Sequence, residues 1–134
     1  MKCLNCNKEL RIRSQVKFCS NKCQVNFQYK KYIIQWKNNK KAGIMTKNIS
    51  RHIKRYFIDK NGEVCMLCGW NKKHKITGKV PLEIDHSDGN SENNAENNLR
   101  LICPNCHALT SNFKNLNKGR GRLWRKNKYI KIKN

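Results

Sequence analysis

At 134 residues and a mean hydropathy of −0.90, the chain is one ordinary domain or two very small ones, with little apolar material for a core. It sets 30 Lys and Arg against 8 Asp and Glu, a formal net charge of +22, and charge of that size points to a polyanionic partner. The absence of any run of about 18 apolar residues excludes a membrane-spanning helix. The start "MKCLNCNKEL" has no apolar stretch that would serve as a signal peptide, so an intracellular, cytoplasmic setting with reduced thiols is expected.

Residues 1–23 contain Cys3, Cys6, Cys19 and Cys23, the first of two cysteine sets. From Val25 an apolar pattern through Tyr29, Tyr32/Ile33 and Trp36 repeats at helical steps and fades at "KNNKKAG", which makes 37–45 a linker with Gly43 as a stop. A second helical pattern takes in Ile49, Ile53 and Tyr56/Phe57, with Lys47, Arg51, Lys54 and Arg55 on its outer face, and ends at "DKNG". "VCMLCGW" is a tight cysteine knuckle. "KVPLEID" alternates Val80, Leu82 and Ile84 with Pro81, Glu83 and Asp85, the pattern of a half-buried strand. "HSDGN" and "SENNAENN" read as turn and loop, and "LRLICPNCH" as a strand entering a second knuckle. Leu109 and Phe113 mark a helix starting near His107, and His52 and His74 have no partners in the sequence. Trp36 and Trp70 read as packing residues, whereas Trp124 and Tyr129 lie in a basic tail from Lys118 onward.

The charge is uneven. Residues 1–58 hold 15 Lys and Arg against the single acid Glu9, residues 114–134 hold nine and no acid, and the other seven acids lie between Asp59 and Glu96. Two basic arms thus flank a mixed centre, and nucleic acid is the expected partner, with Arg51, Lys54, Arg55, Arg120, Arg122 and Arg125 as candidate contacts.

The eight cysteines all fall in close pairs, which suits thiolates sharing an ion better than a disulfide framework. Cys65, Cys68, Cys103 and Cys106 make a closed tetrahedral zinc shell, and the N-terminal four make a second. Both sites are structural, since four thiolates leave no position for water. Pinning the later knuckles draws the strand of Asp85 and His86 alongside His107. A carboxylate and an imidazole would then hold a divalent cation, leaving His86, whose residue type ordinarily titrates at about 6.5, to take a proton from water.

Asp85-His86, Asn98-Leu99 and Cys106-His107 resemble the three parts of the HNH nuclease signature. The resemblance extends over "VCMLCGW", "PLEIDHSDGN", "ENNLRLICPNCHALTSN" and "NKGRGR", roughly residues 46–122. The "KFCSNKC" segment is similar to the zinc finger preceding the nuclease in phage-type HNH homing endonucleases. This likeness implies a ββα-metal, treble-clef-like module within a small α+β protein. It implies His86 as general base, Asp85 and His107 as ligands of Mg²⁺ or Mn²⁺, and Asn98 as the residue bracing the loop of the base. Asn93, Asn94 and Asn97 lie close by, and the Asn-Leu-x-Leu-x-Cys phrase selects Asn98. The expected activity is hydrolysis of double-stranded DNA to 5′-phosphate and 3′-hydroxyl ends, with no membrane and no obligatory protein partner. The competing expectation is a zinc-finger DNA-binding regulator without catalysis. The expected domains are a zinc finger with a basic helix (1–42), the nuclease module (46–117) and a basic DNA-contacting tail (118–134).

Overall fold

The structure, a computed structural model, describes residues 1–45 and 48–117. Its elements are α1, Asn21–Lys37; β1, Ile44–Met45; β2, Asn48–Ile49; α2, Arg51–Asn61; β3, Glu83–His86; β4, Leu99–Ile102; and α3, Pro104–Ala108, with 3-10 turns at Glu96–Asn98 and Lys114–Asn117. They make a small α+β protein in two compact units that divide between Ala42 and Gly43. Among the described residues no helix is long and apolar enough to cross a membrane. The tail from Lys118, with Trp124 and Tyr129, and the positions of Lys47, Arg120, Arg122 and Arg125 lie outside the described residues.

The first unit is built on α1. The Ser20 side chain accepts a hydrogen bond from Cys23 N at 3.2 Å, satisfying an amide that the helix start leaves open. The helix therefore begins at Asn21, ahead of Val25, because the cap and not the first apolar residue sets the boundary. Val25 is exposed, and the buried stripe is Tyr29, Ile33 and Trp36. Before the helix, Lys2 bridges Glu9, and the turn between them is closed by Cys3 N–H to Lys8 O at 2.8 Å and Asn7 N–H to Cys3 O at 2.9 Å.

In the second unit β1 and β2 pair antiparallel, Ile44 opposite Ile49 and Met45 opposite Asn48. The linker expected over 37–45 therefore gives way to the end of α1 and the start of a small ladder, and Ile49 belongs to that ladder rather than to the helix. The reason is Ser50: its side chain accepts from His52 N at 3.2 Å, so the helix cannot start earlier. α2 ends where expected, at Gly62, whose φ of 82° strains any residue with a side chain.

β3 and β4 are antiparallel, with Glu83 opposite Ile102, Ile84 opposite Leu101, Asp85 opposite Arg100 and His86 opposite Leu99. α2 packs on β4, and Ile53, Phe57, Leu82, Leu99, Leu101 and Ile102 form the buried core. Val80 and Leu82 are buried as the alternation implied, yet they precede β3: Val80 N–H bonds Glu63 Oε2 at 3.0 Å, and Leu82 N–H turns back to Val80 O at 2.9 Å. The alternation reverses at Asp85, which is 6% exposed, because α3 packs on β3 from the side that Glu83 and Asp85 share.

Two knuckles frame this pair of strands. Cys65 N–H bonds Trp70 O at 2.9 Å, Gly69 N–H bonds Cys65 O at 2.9 Å, and Gly69 takes a φ of 77° to close the turn. Met66 N–H bonds Leu101 O at 2.9 Å, which ties this knuckle to β4. At the other end Cys103 caps α3, its sulfur accepting from Cys106 N at 3.4 Å, and Pro104 fills the first helical position, where no N–H is needed. A helix starting near His107 and reaching Phe113 is thus not what forms. α3 starts three residues earlier and ends at Ala108, so His107 sits in its last turn and Leu109 is exposed.

Leu101, fully buried, is the test of this core. Leu101→Ala should cost about 3 kcal/mol in urea denaturation, whereas Ile76→Ala, at a 90% exposed position, should change stability by less than about 0.5 kcal/mol.

Candidate metal centres and active site

The eight cysteines gather as two sets of four, Cys3, Cys6, Cys19, Cys23 and Cys65, Cys68, Cys103, Cys106, with all sulfurs of a set within 4.8 Å of one another. A zinc ion about 2.3 Å from each of four sulfurs would set them about 3.8 Å apart. Cys68 and Cys103 sulfurs lie 3.8 Å apart, Cys6 and Cys19 3.6 Å, and Cys19 and Cys23 3.5 Å, so both sets have the size of a zinc shell. Their electrostatics ask for a cation. Burial opposes ionisation of Cys65, but the backbone N–H groups of Cys68, Cys103 and Leu67 outweigh it and bring the thiol down to about 6. Cys3 shows the same balance between burial and backbone N–H groups, and is also lowered to about 6. Cys106 is pushed up to about 12, chiefly by Cys68, and Cys19 to about 12, chiefly by Cys23. Thiols this close cannot all ionise alone, and a dication removes the conflict.

The second set carries α3, and α3 carries His107 to β3. His107 Nε2 faces Asp85 Oδ1 at 3.9 Å, while its Nδ1 meets Glu83 Oε2 at 2.5 Å. Glu83 and Asp85, two steps apart on one strand face, thus hold the two nitrogens of a single ring. With Nδ1–H donated to Glu83, the Nε2 lone pair is the one turned to Asp85. The Phe113 ring stands edge-on to the imidazole at a 5.3 Å centroid separation, fixing its tilt. Asp85's other oxygen accepts from Arg100 Nε at 2.7 Å across the strand pair. The Arg100 pairing offsets the cost of a carboxylate only 7% exposed and leaves Oδ1 for another partner.

Two donors each about 2.1 Å from one octahedral ion lie about 3.0 Å apart when adjacent and about 4.2 Å apart when opposite. The 3.9 Å gap between Asp85 Oδ1 and His107 Nε2 falls between the two, and a shift of about 1 Å by either side chain would bring both onto adjacent positions of one ion. The Glu83–His107 pair behind it has the carboxylate–histidine–metal form that orients a ligand ring. The carboxylate oxygen suits Mg²⁺ and Mn²⁺, and the imidazole nitrogen suits later transition ions.

His86 ends β3 and is oriented from the loop that follows. Its Nε2 meets Asn94 Oδ1 at 2.7 Å, so the proton belongs on Nε2 and the free lone pair on Nδ1. Asn94 is 6% exposed and does not stand out in the sequence, where it is one Asn among four. Asn98 does a different task. Its amide donates to Asp88 Oδ1 at 2.9 Å and Asn93 O at 2.8 Å, and its Oδ1 accepts from Asp88 N at 3.1 Å. Asn98 O also accepts from Ser87 N at 2.8 Å, so this one residue holds both edges of the loop. Asp88 is the hub: Asn93's amide, ahead of the Asn90 N–H and the Asn98 side chain, holds its carboxyl below the ordinary range. The side chain of Asn98 is spent inside the loop rather than turned toward Asp85 or His107.

Of the candidate DNA contacts, Arg51 and Lys54 are exposed on α2, and Arg55 pairs with Asp59 at 3.6 Å. Tyr56 and Lys60, on the same helix, reach Glu96 Oε1 at 2.5 and 3.0 Å and anchor the 3-10 turn that leads to Asn98.

Comparison with known proteins finds similarity over the segment that carries this geometry. Residues 65–113, from the first cysteine of the second set to the aromatic ring on His107, match the family described as HNH endonuclease. The chain is also similar to H-N-H endonuclease F-TflIV of Escherichia phage T5, 48% identical over 58 residues that make up 43% of this chain and 23% of that protein. The chain therefore spans less than a quarter of the length of that curated relative. No solved structure matches. The β3–β4 pair and the short helix bordered by four cysteines are thus the part of the chain that is similar to the HNH endonuclease family, over residues 65–113.

Proposed function

We propose that the chain is a metal-dependent DNA endonuclease of the homing type that hydrolyses phosphodiester bonds in duplex DNA. The observation that carries this reading is the gap between Asp85 Oδ1 and His107 Nε2, backed by Glu83, at the end of a strand whose next residue is an oriented histidine. A protein that only binds DNA has no use for such a gap.

A divalent cation held by Asp85 and His107, Mg²⁺ or Mn²⁺, would supply charge neutralisation at the scissile phosphate and the leaving oxygen. The chain's own groups do the rest. His86 accepts the proton of the attacking water at Nδ1, since Asn94 holds its Nε2, and the imidazolium so formed keeps that hydrogen bond as a donor. In-line attack on phosphorus breaks the bond to the 3′ oxygen, which takes a proton from solvent water, and this leaves a 5′-phosphate and a 3′-hydroxyl. Asn98 and Asp88 hold the loop that carries Asn94, and so act through His86. Arg100 neutralises the half of Asp85 that faces away from His107. Exposed Arg51 and Lys54, and the basic tail with Arg120, Arg122 and Arg125, would bind backbone phosphates. Reduced cysteines in zinc shells fit a chain working in the cytoplasm.

Supercoiled plasmid incubated with Mg²⁺ or Mn²⁺ tests the reading. Wild type should nick or cut it, and His86→Ala should lose about a thousandfold in rate while keeping two zinc ions per chain and its unfolding transition. DNA binding without cleavage under any divalent ion would instead favour the non-catalytic regulator. Glu83→Gln should raise the Mg²⁺ concentration for half-maximal rate by roughly 10- to 100-fold, with little change at saturation. Cys65→Ser should bind one zinc ion per chain, measured by elemental analysis, and lose the cooperative transition of the second unit. Equal zinc loss in Cys65→Ser and His86→Ala would contradict the division into structural and catalytic sites.

A further inference from the structure

The segment between the first knuckle of the second unit and β3 has no part in the site above, yet it is a dense run of positive charge. Every residue from Asn71 to Lys79 is exposed, and the run contains Lys72, Lys73, Lys75 and Lys79 without an acid. The segment is nonetheless folded. His74 N–H bonds Lys79 O at 2.8 Å, Gly78 N–H bonds His74 O at 2.9 Å, and His74 Nδ1 accepts from Ile76 N at 3.2 Å and Thr77 N at 3.3 Å. His74, for which the sequence alone offers no partner, is the peg of this turn. It presents Ile76 at 90% exposure, with lysines on either side.

The turn lines an open groove of about 540 Å³, to which Trp70, Ile76 and Pro81 contribute apolar surface and Lys72, Lys73 and Lys75 contribute charge. Trp70 also borders a smaller hollow of about 110 Å³ shared with Cys103, Pro104 and Asn105. Those residues begin α3, whose last turn carries His107. A groove lined by both apolar side chains and lysines complements a polymer whose charged phosphates flank apolar sugar faces. A turn ordered before binding also avoids the entropy of ordering it on the partner.

We propose that residues 70–81 form a contact for duplex DNA, in which Lys72, Lys73 and Lys75 neutralise backbone phosphates while Trp70 and Ile76 pack against the sugars between them. The choice of polymer rests on the nuclease reading. Trp70 borders both the groove and the hollow at the start of α3, the helix that carries His107.

The experiment titrates a random-sequence duplex with the full chain and follows fluorescence anisotropy over a range of salt. Zinc content and hydrolysis of bis(p-nitrophenyl) phosphate, a diester too small to need the groove, are read in parallel. The triple variant Lys72→Gln/Lys73→Gln/Lys75→Gln should bind at least about tenfold more weakly near 0.1 M salt. Its slope of log affinity against log salt should shrink by about three, one counterion for each phosphate that is no longer neutralised. Ile76→Ser should weaken binding about threefold with the slope unchanged, since an apolar contact releases no counterion. Both variants should match wild type in zinc content and in hydrolysis of the small diester. Wild-type affinity and slope in the triple variant would overturn the proposal, as would lysines that govern binding to phosphatidylserine vesicles and leave DNA binding unchanged. A wild type that binds DNA with a slope the lysines control, but hydrolyses no diester, would sink the nuclease reading and uphold the contact.

Discussion

Four sulfurs in one shell hold the second unit together, and most of its geometry follows from them. Cys65 and Cys68 stand 34 residues from Cys103 and Cys106, and the core between them is six or so buried apolar side chains on two four-residue strands. A core that small stabilises weakly, and closing the loop at a metal would supply what burial cannot. The clamp also sets direction. Cys103 caps α3 with its own sulfur, Cys106 follows in the first turn, and His107 comes next, so the orientation of one imidazole is set by residues of the four-cysteine set. On the other side, Met66 lies between the clamped cysteines and pairs with Leu101, which places β4 and, through it, β3.

Within that frame the acids of a strongly basic chain find their purpose. Asp85 and Glu83 share one face of β3 and divide the two nitrogens of His107 between them. Neither is an idle charge: Asp85 is buried against Arg100, and Glu83 selects which nitrogen of the ring carries a proton. Removing Arg100 would leave the buried Asp85 carboxylate without its complement, and an unpaired buried charge is costly. The histidine proposed as base is handled separately, by short-range polar turns. Asp88, Asn93, Asn94 and Asn98 interlock over eleven residues, so the loop is rigid without an apolar core of its own. Glu96, held by Tyr56 and Lys60, ties that loop to α2 and so back to the packed part of the unit.

Positive charge is deployed on surfaces and kept off the site. Arg51 and Lys54 on α2 and the lysines of the 70–81 turn are exposed, whereas Arg100, the one arginine beside the carboxylates among the described residues, is engaged by Asp85. Long-range attraction of a polyanion and local binding of a cation can then coexist in a single small unit, since solvent screens the first over about 10 Å and burial strengthens the second.

What the sequence determined alone was the chemistry that repeats locally: two sets of cysteine knuckles, the Asp85-His86 and Cys106-His107 pairs, a Gly62 stop and the loop nature of "SENNAENN". Each depends on spacing within a few residues, so pattern suffices to find it. Tertiary structure decided the rest. Ser20, Ser50 and Cys103 set helix starts that apolar periodicity misplaced, because a cap is worth more to a boundary than the next apolar side chain. The burial of Asp85 went against the strand's alternation because α3 covers the face it shares with Glu83. Asn94 could not be told from its neighbouring asparagines, nor Glu83 and Arg100 from ordinary strand residues, because their roles exist only in partners 8, 24 and 15 positions away. Residue type tells which atoms can donate, accept or hold an ion, but which of them meet is decided by the packing of segments distant along the chain.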